Sequence, residues 1–267
     1  MTHQKTPVKL LTRLQPETPS SALKKLKTEH GAIGIKLSTE DAAMSHAQIE
    51  EWAAMAKGIL PIHVKIGGPN ARNDIKSILP MEIDGFIGPM IESPYAMENF
   101  ICAVRDFSSP LQYRRIKKCV NIETDFAVRN LDAIFNSPYA KDIDEVTLGS
   151  SDLLQSLGVK RSDPAFVETV KSTVLRIRDK GYQISLGGGI TPGAIDNWLS
   201  ETQPSKFNTR LVAFPCDGRK SYQPAVESAL RFELLMLEND LKKGYLSIDE
   251  EHCRAQDIKS RLEPLDL

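Results

Sequence analysis

The chain has 267 residues, of which 41% are hydrophobic and 26% are charged, as is typical of globular proteins. Its 34 Lys and Arg nearly balance its 35 Asp and Glu, so no overall field favours a nucleic acid or a membrane surface as partner. The four cysteines form no CxxC pair, which argues against a zinc site or a disulfide framework and fits a cytoplasmic location, and no run of about 18 apolar residues predicts a membrane span.

Short apolar runs alternate with longer amphipathic segments along the whole chain. Each pair occupies roughly 25–35 residues, as βα units do. The predicted strands are residues 8–14, 32–37, 61–66, 85–91, 118–123, 145–148, 182–186 and 210–214. Several of the segments between them begin with Ser, Asp or Thr-Pro and end at Gly, which is typical of helix caps.

Eight βα units predict an α/β protein with a (β/α)8 TIM barrel fold, in which residues 1–267 form a single domain. A doubly wound open sheet is the alternative, but such sheets more often carry a glycine fingerprint after the first strand, and "TRLQPETPSS" has none. The tail from about residue 245 is charged and has a helical pattern. We expect it to form an additional C-terminal helical extension that packs outside the barrel or against a neighbouring subunit, which predicts a homo-oligomer.

Two carboxylates follow adjacent predicted strands, at the end of the barrel where active sites lie. Glu123 ends the fifth strand and Asp152 follows the sixth. Carboxylates that converge in a pocket repel each other unless one is protonated or a cation lies between them, and hard oxygen ligands suit Mg²⁺ or Mn²⁺. The alternative makes Glu123 an ion-pair partner and Asp152 the N-cap of the next helix.

Small residues precede Asp152 at the junction of strand and helix. Gly149, Ser150 and Ser151 would let backbone N–H groups face a ligand at a helix N-terminus, which favours an anion. We therefore predict that these three residues bind a substrate carboxylate. The sequence "LGGGITPGA" after the seventh strand suggests either a phosphate site or a tight turn, which the same glycines would serve.

Two lysines, Lys36 and Lys65, end adjacent strands on the other side of the predicted pocket. A lysine there could neutralise a carboxylate or enolate, or form a Schiff base if burial lowers its pKa. The alternative is a lysine that extends from the barrel rim into solvent. No Ser-His-Asp or Cys-His set lies at strand ends, which argues against a protease or esterase.

The segments "NIETDFAVRNLDAI" and "DEVTLGSSDLLQSLG" resemble the paired signature of the HpcH/HpaI aldolase and citrate lyase family. The resemblance covers roughly Gly31 to Asp217. It implies a barrel that binds a 2-oxo acid and a divalent metal, Mg²⁺ or Mn²⁺ with Co²⁺ as an option. It also implies that Glu123 and Asp152 are the metal ligands and that Asn121 is a polar neighbour of the bound acid.

Two positions depart from the family pattern. Lys65 stands where the family usually has an arginine that neutralises the enolate oxygen, so the charge remains but the bidentate fork is lost. The turn after the second strand reads "IKLSTED", where the family has an acid and a histidine for base catalysis. Glu40, Asp41 or Lys36 would then have to move the proton.

These observations predict a metal-dependent (class II) aldolase or carbon–carbon lyase that acts on a 2-oxo acid with an aldehyde or thioester co-substrate. Lys65, Lys36 and Glu40 are the predicted catalytic residues. The alternatives are a CoA-thioester lyase of the citrate or malyl type, and a catalytically silent barrel that serves as a binding or scaffold subunit.

Overall fold

The computed structural model describes residues 17–262, and in it eight strands form a closed barrel in chain order. The strands are β1 Gly34–Ser38, β2 Ile62–Lys65, β3 Gly85–Gly88, β4 Lys117–Ile122, β5 Glu145–Gly149, β6 Ile184–Gly187, β7 Lys206–Asn208 and β8 Val212–Pro215. The predicted fold class, a barrel of the TIM type, is confirmed. The predicted strand at residues 8–14 lies outside the described residues.

Helices surround the barrel. They are α1 Pro19–His30, α2 His46–Ala56, α3 Arg72–Ile78, α4 Pro94–Phe107, α5 Pro110–Arg115, α6 Asp125–Arg129, α7 Leu131–Phe135, α8 Ser150–Leu157, α9 Pro164–Asp179, α10 Ile195–Thr202, α11 Gln223–Lys242 and α12 Ile248–Leu262. Polar caps begin several of them: Ser93, for example, accepts the N–H of Ala96 at 3.1 Å. No helix between residues 17 and 262 is long and apolar enough to cross a membrane.

Side chains alternate between the two faces of each strand, so every second residue points into the barrel. The outward residues are apolar and fully buried against the helices, as Val64, Val120 and Leu186 illustrate. The inward residues are largely polar. Thr147 and Ser185 share a hydrogen bond of 2.7 Å between their hydroxyls, and Lys206 pairs with Glu145. The barrel therefore directs apolar packing outward and keeps polar side chains near its axis.

The barrel closes through a hairpin rather than through an eighth βα unit. β7 pairs with β6 in parallel, whereas β8 runs antiparallel to both β7 and β1. Phe207 and Phe214 lie opposite each other, with ring centroids 5.2 Å apart, so the two short strands pack as one unit. The strand predicted at residues 210–214 thus exists but has the opposite direction, and β7 was not predicted.

This reversal exchanges the two ends of the last strand. The hairpin turn at residues 209–211 lies at the end where the parallel strands terminate. A parallel strand at residues 210–214 would have placed Cys216, Asp217 and Gly218 at that end. They lie at the other end, where Arg219 donates from Nη1 to the carbonyl of His30, just before β1, at 2.6 Å. These three residues therefore do not line the mouth, as the predicted eighth parallel strand would have implied.

The C-terminal extension begins at Ile248 and packs on its own chain. Ala255 and Ile258 are buried against α11. Arg254 donates to the carbonyl of Ala42 and Arg261 to that of Ile190, both at 3.0 Å. Both carbonyls belong to loops at the end of the barrel where the parallel strands terminate. α12 thus packs on the outside of the barrel, the first of the two expected placements, although Ile248 at its start is exposed. A homo-oligomer stays a prediction.

Candidate active site

The turn after β1 brings a carboxylate onto the lysine that ends β2. Glu40 Oε2 lies 2.6 Å from Lys65 Nζ. The Lys65 side chain is only 6% exposed and that of Glu40 is 38% exposed, so the pair spans the boundary between the pocket and solvent. The hydroxyl of Ser38 accepts the N–H groups of Glu40 and Asp41, both at 3.1 Å, and so fixes the turn. Two predicted catalytic residues are therefore in direct contact.

Glu123 is almost completely buried and its carboxylate is held from two sides. Oε1 accepts the backbone N–H of Met90 at 2.8 Å, and Oε2 accepts the Asn121 side-chain amide at 3.1 Å. Met90 has a φ of 54°, a left-handed conformation that is costly for a residue with a side chain. This strained backbone aims the N–H at Glu123 and so fixes the carboxylate at the site.

Gly149 allows Glu123 to occupy its position. A Cβ added to Gly149 would lie 2.7 Å from the Glu123 Cβ and 2.8 Å from Oε2, closer than real side chains approach. The φ of Gly149 is −82°, so the backbone itself does not demand glycine. The close approach of the carboxylate is therefore the physical reason for this glycine.

Asp152 lies in the first turn of α8 and is exposed. It does not cap the helix, because α8 begins at Ser150 and Gly149 occupies the cap position without a side-chain hydrogen bond. The alternative interpretation of Asp152 as an N-cap is therefore wrong. Burial raises the pKa of Glu123, and the nearby charge of Asp152 raises it further, against the opposing effect of Lys65. The two carboxylates thus interact through space.

This donor set fits a hard divalent cation. A cation between Glu123 and Asp152 would relieve their repulsion, and Mg²⁺ commonly takes one or two carboxylates while water and substrate supply its other ligands. Within residues 17–262 no three His, Cys, Asp or Glu side chains come together in a ligand cluster. The protein would therefore supply two carboxylates, and the substrate would complete the site.

The two lysines differ in their protonation. Burial would lower the pKa of Lys65, but the carboxylates of Glu123 and Glu40, together with a neighbouring aspartate, raise it overall. The pKa of Lys36 is lowered, because burial and the cations of Lys65 and Arg210 outweigh the nearby carboxylates. Lys65 is therefore a stable cation, whereas Lys36 loses its proton more readily.

Arg210 is a charged residue at this end that the sequence did not identify. It lies in the β7–β8 turn, where it donates from Nη2 to the carbonyl of Asp41 at 3.0 Å. Its position depends on the reversed direction of β8. No pattern in "NTRLVAF" distinguishes a residue before a parallel strand from one in a hairpin turn, so the sequence offered no signal.

The predicted anion site lies at the start of α8, beside the loop that follows β6. Ser150 is fully buried and donates to the carbonyl of Gly188 at 2.9 Å. Ser151 faces Gly188, because a Cβ on that glycine would lie 2.5 Å from the Ser151 backbone nitrogen. The start of α8 and the loop after β6 therefore pack closely at this point, where a side chain at residue 188 would not fit.

A cavity of about 1070 Å³ lies at the other end of the barrel, mostly among residues that precede β2, β3 and β4. It contains none of the residues described above. Buried charge and the ends of the parallel strands favour the mouth, and not this cavity, as the candidate site.

The sequence matches a family model described as HpcH/HpaI aldolase/citrate lyase over residues 48–184, just over half of the chain. This range contains Lys65, Asn121, Glu123, the 149–151 turn and Asp152. It excludes Lys36 and Glu40. Among curated proteins, none matches the sequence.

Several solved structures have a similar fold. An HpcH/HpaI aldolase from Desulfitobacterium hafniense DCB-2 has a TM-score of 0.58 and 19% identity, over 72% of this chain and 81% of that one. A family protein from Burkholderia cenocepacia J2315 has a TM-score of 0.57 and 16% identity, over 71% and 83%. Citrate synthase SbnG has a TM-score of 0.57 and 18% identity, over 68% and 78%. At these identities the likeness concerns the fold alone.

Proposed function

Because the chain belongs to the HpcH/HpaI aldolase/citrate lyase family, we propose that it is an aldolase or carbon–carbon lyase that acts through the enolate of a 2-oxo acid such as pyruvate. The single observation that carries this proposal is the buried Lys65 ammonium. It lies 2.6 Å from Glu40, and the charge of Glu123 raises its pKa. A fixed cation in a poorly solvated pocket is what a developing enolate oxygen requires.

Glu123 and Asp152 would hold a divalent cation, Mg²⁺ or Mn²⁺, with Co²⁺ as a substitute. When bound, the cation supplies electrophilic stabilisation of the oxygen that becomes the enolate. Asn121 fixes the Glu123 carboxylate through its 3.1 Å hydrogen bond, and Gly149 leaves room for it. The chain thus orients one ligand through backbone, amide and glycine contacts together.

The substrate carboxylate would lie at the start of α8, against the N–H groups of residues 149–151. The first N–H groups of a helix have no partner within it and attract anions. The absence of a side chain at Gly188 leaves the Ser151 nitrogen uncovered by a Cβ, which would otherwise lie 2.5 Å from it. The 2-oxo group would then point from this turn toward Lys65 and Glu123.

Glu40 is the proposed base. In the cleavage direction its carboxylate takes the proton of the hydroxyl group, the carbon–carbon bond beside that carbon breaks, and the electron pair moves to the 2-oxo oxygen. Lys65 stabilises the negative charge there, and Glu40 returns the proton to the enolate carbon as the 2-oxo acid leaves. Lys36, with its lowered pKa, is the second group that could accept a proton.

A screen of 4-hydroxy-2-oxo acids with Mg²⁺, Mn²⁺ and Co²⁺ tests this proposal through release of the 2-oxo acid. We expect metal-dependent release, and thioester substrates in the same screen test a citrate or malyl type of lyase. Release that is absent for all substrates and metals, in a protein that is folded by its unfolding temperature, would indicate a barrel without catalytic activity.

A further inference from the structure

Arg161 is a half-buried cation beside the predicted anion site. It lies in the loop between α8 and α9, and its Nη1 donates to the Ser150 hydroxyl at 3.3 Å. Its guanidinium carbon lies 5.8 Å from the ring centroid of Phe166 and 5.7 Å from that of Trp198. Within residues 17–262 no carboxylate lies in ion-pair distance of it. Its charge therefore has aromatic neighbours but no anionic partner.

The glycine turn, residues 187–190 after β6, lies directly against this guanidinium. Gly188 and Gly189 have φ values of 89° and 62°, in the region that favours glycine. A Cβ on Gly189 would overlap the Arg161 guanidinium, and one on Gly188 would lie 2.5 Å from the Ser151 nitrogen. The turn thus brings its backbone close to donor groups from two other segments.

The same turn has unused donors of its own. The backbone N–H groups of Gly188, Gly189 and Ile190 make no hydrogen bond to another backbone group in the described part of the chain. Gly189 is exposed and Gly188 is half-buried, whereas Ile190 is buried, so solvent reaches the turn through its two glycines. Successive free N–H groups on a glycine-rich turn form a concave surface that suits an anion.

Two buried side-chain donors nearby also lack acceptors. Thr191 Oγ1, on the residue after the turn, and Trp198 Nε1 have no hydrogen-bond partner among residues 17–262. Trp198 is only 9% exposed, and its ring packs beside Arg161. Leaving buried donors without acceptors is costly, which points to a ligand that supplies them.

We infer that the glycine turn and Arg161 bind a phosphate monoester group on the co-substrate that reacts with the enolate. The inference rests on the proposed function, in which the carboxylate of the 2-oxo acid occupies the start of α8. The donors are three backbone N–H groups, the Arg161 guanidinium and the Thr191 hydroxyl. They exceed what the two oxygens of a carboxylate can accept, whereas the terminal oxygens of a phosphate monoester can accept from all of them.

Ser150 connects the two anion sites. Its hydroxyl donates to the carbonyl of Gly188 and accepts from Arg161. The start of α8 and the glycine turn therefore lie side by side at the ends of the neighbouring strands β5 and β6. A substrate that joins a 2-oxo acid to a phosphorylated chain would span them, with its reacting carbons between.

Isothermal titration with inorganic phosphate, without metal, tests the site independently of catalysis. Arg161→Gln should weaken phosphate binding by about 10- to 100-fold, as the loss of a charge-assisted hydrogen bond predicts, and Arg161→Lys should restore part of it. Arg176→Gln is the matched control, since Arg176 pairs with Asp132 at 3.2 Å on the outer surface. It should bind phosphate as the unaltered protein does.

The inference is overturned if the unaltered protein does not bind phosphate, or if Arg161→Gln binds it equally well while keeping its unfolding temperature. If acetate binds as tightly as phosphate, with the same dependence on Arg161, the site binds a carboxylate and the inference of a phosphate group is wrong. If Arg161→Gln does not fold, Gly189→Ala supplies the same test, because its Cβ would displace the guanidinium.

Turnover separates this inference from the proposed function. With pyruvate, kcat/KM for glyceraldehyde 3-phosphate should exceed that for glyceraldehyde, and Arg161→Gln should reduce the ratio toward one. Equal use of both acceptors without phosphate binding overturns the inference and leaves the aldolase proposal intact. Phosphate binding that depends on Arg161, in a protein without turnover, supports the phosphate site and contradicts the aldolase proposal.

Discussion

Glu40 Oε2 lies 2.6 Å from Lys65 Nζ, although the residues belong to two different strand ends. This contact pairs the two positions at which the sequence departs from the family pattern. The resemblance implies an arginine at the position of Lys65, and an acid and a histidine in the turn that carries Glu40. The two departures therefore form one unit, in which an acid can exchange protons beside a cation that stays charged.

Lys65 should act through its charge and not through a covalent imine. Lys65→Ala is expected to lower turnover by about 10²–10³, the usual cost of one lost oxyanion-stabilising donor, while Lys65→Arg should keep measurable activity. Steady-state kinetics of both variants measure this. Intact-mass measurement after incubation with pyruvate and borohydride is the second check, and a stable adduct on Lys65 or Lys36 would replace the enolate mechanism with an imine mechanism.

Glu40→Gln should remove the base while preserving the size of the side chain. We expect kcat to fall by about 10²–10⁴, the range for loss of general acid–base catalysis. Glu82→Gln is the matched control, since Glu82 also pairs with a lysine, Lys57, but at an exposed position. If both variants have the same turnover as the unaltered protein, Glu40 is not the base.

Lys36→Met should stabilise the protein at neutral pH, because it removes a charge whose pKa is lowered by burial and by neighbouring cations. Between this lowered pKa and the ordinary lysine value of about 10.4, the unfolded state binds more protons than the folded state. The free energy of unfolding of the unaltered protein should therefore rise with pH through that window, relative to Lys36→Met. Urea unfolding at several pH values between about 7 and 10 measures the difference. A constant difference would mean that the Lys36 pKa is the same in both states.

Gly149→Ala should displace Glu123, because the new Cβ would lie 2.7 Å from the Glu123 Cβ. We expect loss of turnover and weaker divalent-cation binding in a folded protein. Gly193→Ala is the control, since no atom lies within 4 Å of its added Cβ and its φ is not positive. Full cation binding by Gly149→Ala would show that the carboxylate does not need this glycine.

The parts of the site that the sequence predicted follow from strand periodicity. Asn121 and Glu123 are two residues apart, so they face the same side, and Gly149 ends the adjacent strand. The hairpin was not predicted, because Lys206–Asn208 is only three residues long and Thr209, Arg210 and Leu211 are not typical hairpin-turn residues. Arg161 lies in a polar loop without periodicity, so its contact with the glycine turn depends on tertiary packing alone.

The most direct test of the proposed function is metal-dependent release of pyruvate from a 4-hydroxy-2-oxo acid, measured for the unaltered protein and for Glu123→Gln with Asp152→Asn. We expect release with Mg²⁺ or Mn²⁺, its loss on chelation, and loss of both turnover and cation binding in the double variant, with the unfolding temperature maintained. Turnover that survives in the double variant, or pyruvate release that is unaffected by chelation, would contradict a cation held by these two carboxylates.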